Sequence, residues 1–200
     1  FYLSSHPLDY YKDILEQSKI ITSEFLKEEH HIGYSTVVLA GMVISSKAKV
    51  SPKGRYLQAV LSDRQGSVEL SFFDDDLLQA VSQLFSQNIP LMIKAEVRKD
   101  EGGIRVTGQE VVALDDYLND QLKQVELTVK ETSAISKIQE ILSSKEEGKV
   151  VVNLKIITNN NDEVLMDLGQ KFKLDFKDCR RISDIAGVDL KIELKRNVRF

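Results

Sequence analysis

Cysteine occurs once in this sequence, at position 179, so no internal disulfide can staple the fold. A lone thiol fits a reducing compartment and points to the cytoplasm. No apolar stretch approaches the roughly 20 residues that a membrane-spanning helix needs, so no membrane partner is expected. The first residues, Phe1-Tyr2-Leu3, carry neither a charged leader nor a small-residue cleavage site, so no secretory signal is expected. They also lack an initiator methionine, and the chain reads as a piece of a longer protein. Positive charge is not in excess. Lys and Arg number 27 against 31 Asp and Glu, a net charge of −4. That balance excludes a histone-type, charge-driven binder, so any nucleic-acid contact must come from a local basic surface.

What is present is ordinary for a folded protein: 42% hydrophobic and 29% charged residues over 200 positions, enough for two domains. Residues 1–33 read as a helical lead-in. Asp9 is placed to cap a helix through Tyr10, Ile14 and Leu15 after His6-Pro7, and a short amphipathic piece follows from Glu24 to Glu29 before Gly33. From Ser35 the hydrophobic period becomes two. Val38, Ala40, Met42 and Ile44 alternate with Leu39, Gly41 and Val43 on a long strand that is apolar on both faces. Turns at Ser51–Gly54 and Asp63–Gly66 bound a second strand through Leu57, Ala59 and Leu61 and a third through Val68, Leu70 and Phe72. Asp74 then caps a helix carrying Leu77, Leu78, Val81, Leu84 and Phe85 on one face. Strands from Leu91 to Val97 and from Ile104 to Leu114 close the segment as a hairpin turned at Asp100–Gly103.

Three strands, a helix and a hairpin are the element order of an OB-fold. A ferredoxin-like fold needs a helix after its first strand, and an SH3-like barrel has no helix of this length between strands three and four. The expected class is therefore mainly β plus α+β: a five-stranded OB-fold barrel over 34–116, then a small α+β domain over 117–200. The run from Asp115 to Gln124 reads as a linker. Beyond it, strands are expected at Val125–Val129, Val150–Ile157, Val164–Leu168 and Val188–Leu194, with a short one at Lys171–Leu174. Helices are expected at Ser133–Ser144 and Asp175–Ala186, a turn at Asn159–Asp162, and a frayed basic tail from Lys195 to Phe200.

Two stretches resemble a known family. Phe1-Tyr2-Leu3-Ser4-Ser5-His6-Pro7-Leu8 is similar to the Y-L-S-G-H-P-L segment that precedes the OB domain of bacterial DNA polymerase III alpha subunits, with Ser5 where the family has Gly. Ala40-Gly41-Met42-Val43, the run Leu61-Ser62-Asp63-Arg64-Gln65-Gly66-Ser67-Val68-Glu69, and Phe72-Phe73 resemble that domain's signature. The Asp-Arg-x-Gly turn is shared with anticodon-type OB modules of class II aminoacyl-tRNA synthetases, whereas the order of segment, barrel and α+β unit is not. The resemblance implies a non-catalytic C-terminal region of a replicative polymerase. Its partners would be single-stranded template DNA at the OB-fold, the clamp-loader tau subunit at residues 117–200, and other holoenzyme subunits. The alternatives are an RNA-binding OB module and a protein-only interaction scaffold.

An OB-fold holds a strand across its second and third strands, between the loops joining strands one to two and four to five. Lys47, Lys49, Lys53 and Arg55 flank the first loop, and Arg98, Lys99 and Arg105 the second, and both clusters are expected to converge at one rim of the barrel. Tyr56 is the expected stacking platform. Phe73 is expected to pack against the helix, and Glu69 to repel phosphate. Using about four of these cations would give a log–log salt slope of roughly −3. Catalytic chemistry finds no support. His6, His30 and His31 match no nucleophile or metal pattern, Asp74-Asp75-Asp76 is explained by capping, and Cys179 reads as core beside Ile182 and Ile185. Gly102-Gly103 is a hairpin turn rather than a phosphate-cradling loop, and no cofactor is expected.

Overall fold

A computed structural model describes residues 6–18, 20–27, 35–52, 54–100, 103–158, 160 and 162–195. The chain divides into two compact units between Tyr117 and Leu118. The first opens with a 3-10 turn at Asp9–Tyr11, helix α1 (Lys12–Gln17) and helix α2 (Ser23–Lys27). Five strands follow, β1 (Ser35–Ser51), β2 (Gly54–Ser62), β3 (Ser67–Phe72), β4 (Leu91–Asp100) and β5 (Gly103–Ala113), with helix α3 (Asp75–Ser86) between β3 and β4. They form a closed, OB-fold-like sheet in the order β1-β2-β3-β5-β4.

The closure follows from the alternation of side chains. Leu57, Ala59 and Leu61 of β2, Leu70 and Phe72 of β3, Ile93, Ala95 and Val97 of β4 and Val106 of β5 are buried in one core, which Val81 of α3 joins. Burying each large member stabilises the fold by about 1.5–3 kcal/mol. Phe72 fits because β5 carries Gly108 against its ring, where an added Cβ would fall 1.9 Å from Phe72 Cε1. Asp74 caps α3 as expected, accepting from the backbone N–H of Asp76 at 2.9 Å and of Leu77 at 3.2 Å.

Val38, Ala40 and Met42 point away from that core yet are buried, because the lead-in covers them. Ile21 donates its N–H to the Val38 carbonyl at 2.8 Å and bridges Leu39 beside the edge that β2 leaves unpaired. The β2–β3 turn clamps the same segment. Asp63 accepts from Ser23 N–H at 2.5 Å and Ser23 Oγ at 2.8 Å while its Oδ1 also takes the Gln65 and Gly66 amides. Asp9 does not cap a helix. Its carboxylate lies 2.7 Å from Arg64 Nε, and the Arg64 hydrogen bond holds it below the usual carboxylate range. The Asp-Arg-x-Gly turn is thus a structural clasp.

The expected linker is ordered. Residues 114–121 form helix α4 (Leu114–Gln121), whose Leu114 and Leu118, one turn apart, are fully buried. The second unit holds β6 (Leu122–Val129), α5 (Ser133–Ser143), β7 (Glu147–Ile157), β8 (Glu163–Phe172), α6 (Phe176–Ser183) and β9 (Val188–Leu194). Its sheet order is β8-β7-β6-β9, with β6 parallel to β7 and the other pairs antiparallel. Strand β8 replaces the two short strands expected there. Gly169, at φ +69°, carries the chain through an irregularity in the β7–β8 register instead of ending the strand. Glu28, Glu29, the histidine pair, Gly33, parts of the Asn159–Asp162 turn and the tail after Lys195 lie outside the described residues.

A capping box closes the start of α6: Asp175 accepts from Asp178 N–H at 2.8 Å, and the Asp178 carboxylate accepts from Asp175 N–H at 3.2 Å. Cys179 follows it in the core, where burial pushes the thiol from its ordinary 9.0 up to about 12. In the native chain Cys179 is expected to resist iodoacetamide at pH 8, reacting at the rate of unfolding, and rapid native labelling would contradict its burial. Because the folded state holds this proton more tightly, its contribution to stability is complete below pH 9.0 and is lost as pH rises through about 12.

Candidate nucleic-acid interface

Residues directly opposite each other in an antiparallel ladder share a face, so the registers say which side chains meet on the outside of the first unit's sheet. One row joins Lys49 to Tyr56, and Leu57 pairs Phe72, so Phe73, the residue just after β3, comes alongside Tyr56. A second row runs Lys47, Gln58, Ser71 and Thr107 across β1, β2, β3 and β5. A third runs Ser45, Val60 and Glu69.

The rings of Tyr56 and Phe73 stack at 5.2 Å between centroids with planes 24° apart. Phe73 is 55% exposed, so it does not pack against α3 as its sequence position suggests. Beside the stack, Gln58 Nε2 donates to Glu69 Oε1. A carboxylate only accepts, which fixes the Gln58 amide nitrogen toward Glu69, with one of its two hydrogens donated, and leaves the Gln58 oxygen turned away.

Lys47 lies opposite Gln58, Lys49 opposite Tyr56, and Arg55 opposite Val50, all three cations being exposed. Lys53 falls outside the described residues. In the other hairpin Arg98 lies directly opposite Arg105 and Lys99 opposite Ile104. Glu96 offsets the facing arginines, with its Oε1 2.6 Å from Arg98 Nε. The registers do not bring the two clusters to one rim. From the Gln58–Ser71–Thr107 row, the Ser51–Gly54 hairpin lies in the direction in which β3 and β5 run forward. The Asp100–Gly103 hairpin lies the opposite way, back along β5. The clusters therefore flank the β2–β3 face. Local period-two patterning does not encode such a cross-sheet relation.

The second unit carries a different surface. A groove of about 370 Å³ is lined by Ile135, Ile138 and Leu142 of α5, Leu154 of β7, and Met166 and Leu168 of β8. Val164, Leu165 and Met166 expose large apolar area along β8, an edge strand. Among the described residues no group of three His, Cys, Asp or Glu is arranged to hold a metal ion. His6 Nδ1 is used locally, accepting from Leu8 N–H at 3.1 Å. Among them no helix is long and apolar enough to cross a membrane.

No protein-family model matches the chain. It is 27% identical over 154 residues to the DNA polymerase III subunit alpha of Rickettsia prowazekii, an alignment covering 77% of this chain and 13% of that protein. The same subunit of Rickettsia conorii is 25% identical over 183 residues, covering 88% of this chain and 16% of its own length. The chain thus spans a small part of the curated relatives it matches. Among solved structures, the mitochondrial single-stranded DNA binding protein Rim1 of S. cerevisiae aligns with a TM-score of 0.36 and 12% identity, over 42% of this chain and 96% of its own. RecG bound to a three-way DNA junction aligns with a TM-score of 0.39 and 23% identity, over 52% of this chain and 15% of its own.

Proposed function

We propose, from the premise that this chain is related to the alpha subunits of bacterial DNA polymerase III, that it is the non-catalytic C-terminal region of such a subunit. In this reading the OB-fold barrel binds single-stranded template DNA in the cytoplasm, and the second unit docks the tau subunit of the clamp loader. The observation that carries the DNA half is the stack of half-buried Tyr56 on exposed Phe73 beside Lys49 on the face of β2 and β3. Base–aromatic stacking supplies about 1–3 kcal/mol per base and tolerates any sequence, because every base has a π-face. The flanking cations supply the backbone contacts, and their places at opposite ends of the β2–β3 face suit an extended strand. For the docking half, the support is the groove beside β8 together with the apolar side chains exposed along that edge.

Titration of the full chain with a fluorescent single-stranded oligonucleotide tests the first half. Micromolar binding at low salt is expected, weakening with a log–log slope of roughly −3 if about four cations take part. An absence of binding at high-micromolar protein removes the DNA role. Purified tau that forms no complex with the full chain removes the docking role.

A further inference from the structure

We propose that the Gln58–Glu69 pair makes this face select bases that carry an exocyclic amino group, so that it prefers cytosine to thymine. The proposal rests on the single-stranded DNA reading above and names which strands that site takes. Gln58 sits two residues from Tyr56 on the same outer face of β2, about 7 Å along the strand, within the span of a base stacked on the Tyr56–Phe73 rings. Glu69 is exposed and reaches Gln58 diagonally across β3, where Gln58 Nε2 donates to its Oε1. The pair's internal bond uses one of Gln58's two amide hydrogens, and the acceptors left, the remaining lone pairs of the Glu69 carboxylate and the Gln58 carbonyl oxygen, outnumber the one N–H that is left. Next to the rings acceptors predominate, one of them a carboxylate whose hydrogen bonds are charge-assisted and outweigh what the one remaining Gln58 N–H offers, so the face favours hydrogen-bond donors.

Cytosine offers its N4 amino group at that edge, a known partner of carboxylates, whereas thymine offers the O4 acceptor. An acceptor brought against a carboxylate loses its water without gaining a partner, which is the costly outcome. The two pyrimidines are nearly equal in size and share one backbone, so comparing them isolates the edge from stacking and from phosphate contacts.

The test measures anisotropy for oligo(dC) and oligo(dT) of equal length at neutral pH and low salt, with the full chain and with Glu69→Gln. The native chain is expected to bind oligo(dC) about three- to tenfold more tightly, the return of one charge-assisted hydrogen bond partly shared with water. Glu69→Gln offers a donor as well as an acceptor, so the ratio should fall toward one while total affinity rises from the lost negative charge. Equal or tighter binding of oligo(dT) by the native chain, or an unchanged ratio in Glu69→Gln, overturns the selectivity and leaves DNA binding standing. Failure to bind either oligomer overturns the DNA reading itself, and the selectivity with it.

Discussion

The triple charge reversal Lys47→Glu, Lys49→Glu, Arg55→Glu is expected to weaken single-stranded DNA binding at low salt by on the order of a hundredfold or more. The three side chains are exposed and serve β1 and β2, whose inward residues carry the core, so the fold should survive. Each reversal removes a counterion-releasing contact and adds a repulsive charge beside the strand. The same change made at Lys149, Lys177 and Lys191, exposed in the second unit, alters net charge equally and should shift affinity only slightly. Anisotropy titration at several salt concentrations reads both variants. If the two triples weaken binding alike, the effect is one of net charge, and the flanking-loop assignment falls. A protein-only scaffold would bind no DNA before or after the changes.

Much of the first unit was legible because its signals are local. Leu57, Ala59 and Leu61 alternate with half-exposed neighbours, and Asp74 stands one residue before α3 with its carboxylate on two amides. Helix α4 is masked in the sequence because Asp115, Asp116, Asn119 and Asp120 give the stretch the composition of a polar linker. The cue is the spacing of Leu114, Tyr117 and Leu118 at one helical turn, and both leucines are buried. The outward turn of Phe73 is hidden for a related reason. It continues an apolar run from Phe72, and whether the last residue before a cap turns inward depends on where the strand ends. Strand β8 looked like two strands because Gly169 punctuates it, and only pairing with β7 carries the strand through. The basic residues were legible as clusters, but not their arrangement, since the parallel pairing of β3 with β5 at Ser71 and Thr107 joins segments far apart in sequence. The Asp63–Ser23 clasp was hidden for the same reason: forty positions separate its partners.

Asp178→Ala is expected to destabilise the second unit by about 3 kcal/mol. The Asp178 carboxylate is 5% exposed, lies 2.6 Å from Lys145 Nζ, and accepts the Asp175 amide of the capping box. Removing it leaves that amide without its partner at the start of α6 and strands an ammonium that is only 23% exposed. Breaking one side of a fully buried pair costs about 3–5 kcal/mol, and water reaching Lys145 holds the value to the lower end. The double variant Asp178→Leu with Lys145→Met removes both charges and should recover part of the loss, though not the cap. Hydrogen exchange separates the two units. Protection of the β6 amides at Val125–Val129 should fall about a hundredfold in Asp178→Ala, with the β2 amides at Leu57–Leu61 unchanged and oligonucleotide affinity within twofold. Equal loss of protection in β2 would mean that the units unfold together, and the assignment of DNA binding to the first alone would lose its energetic basis.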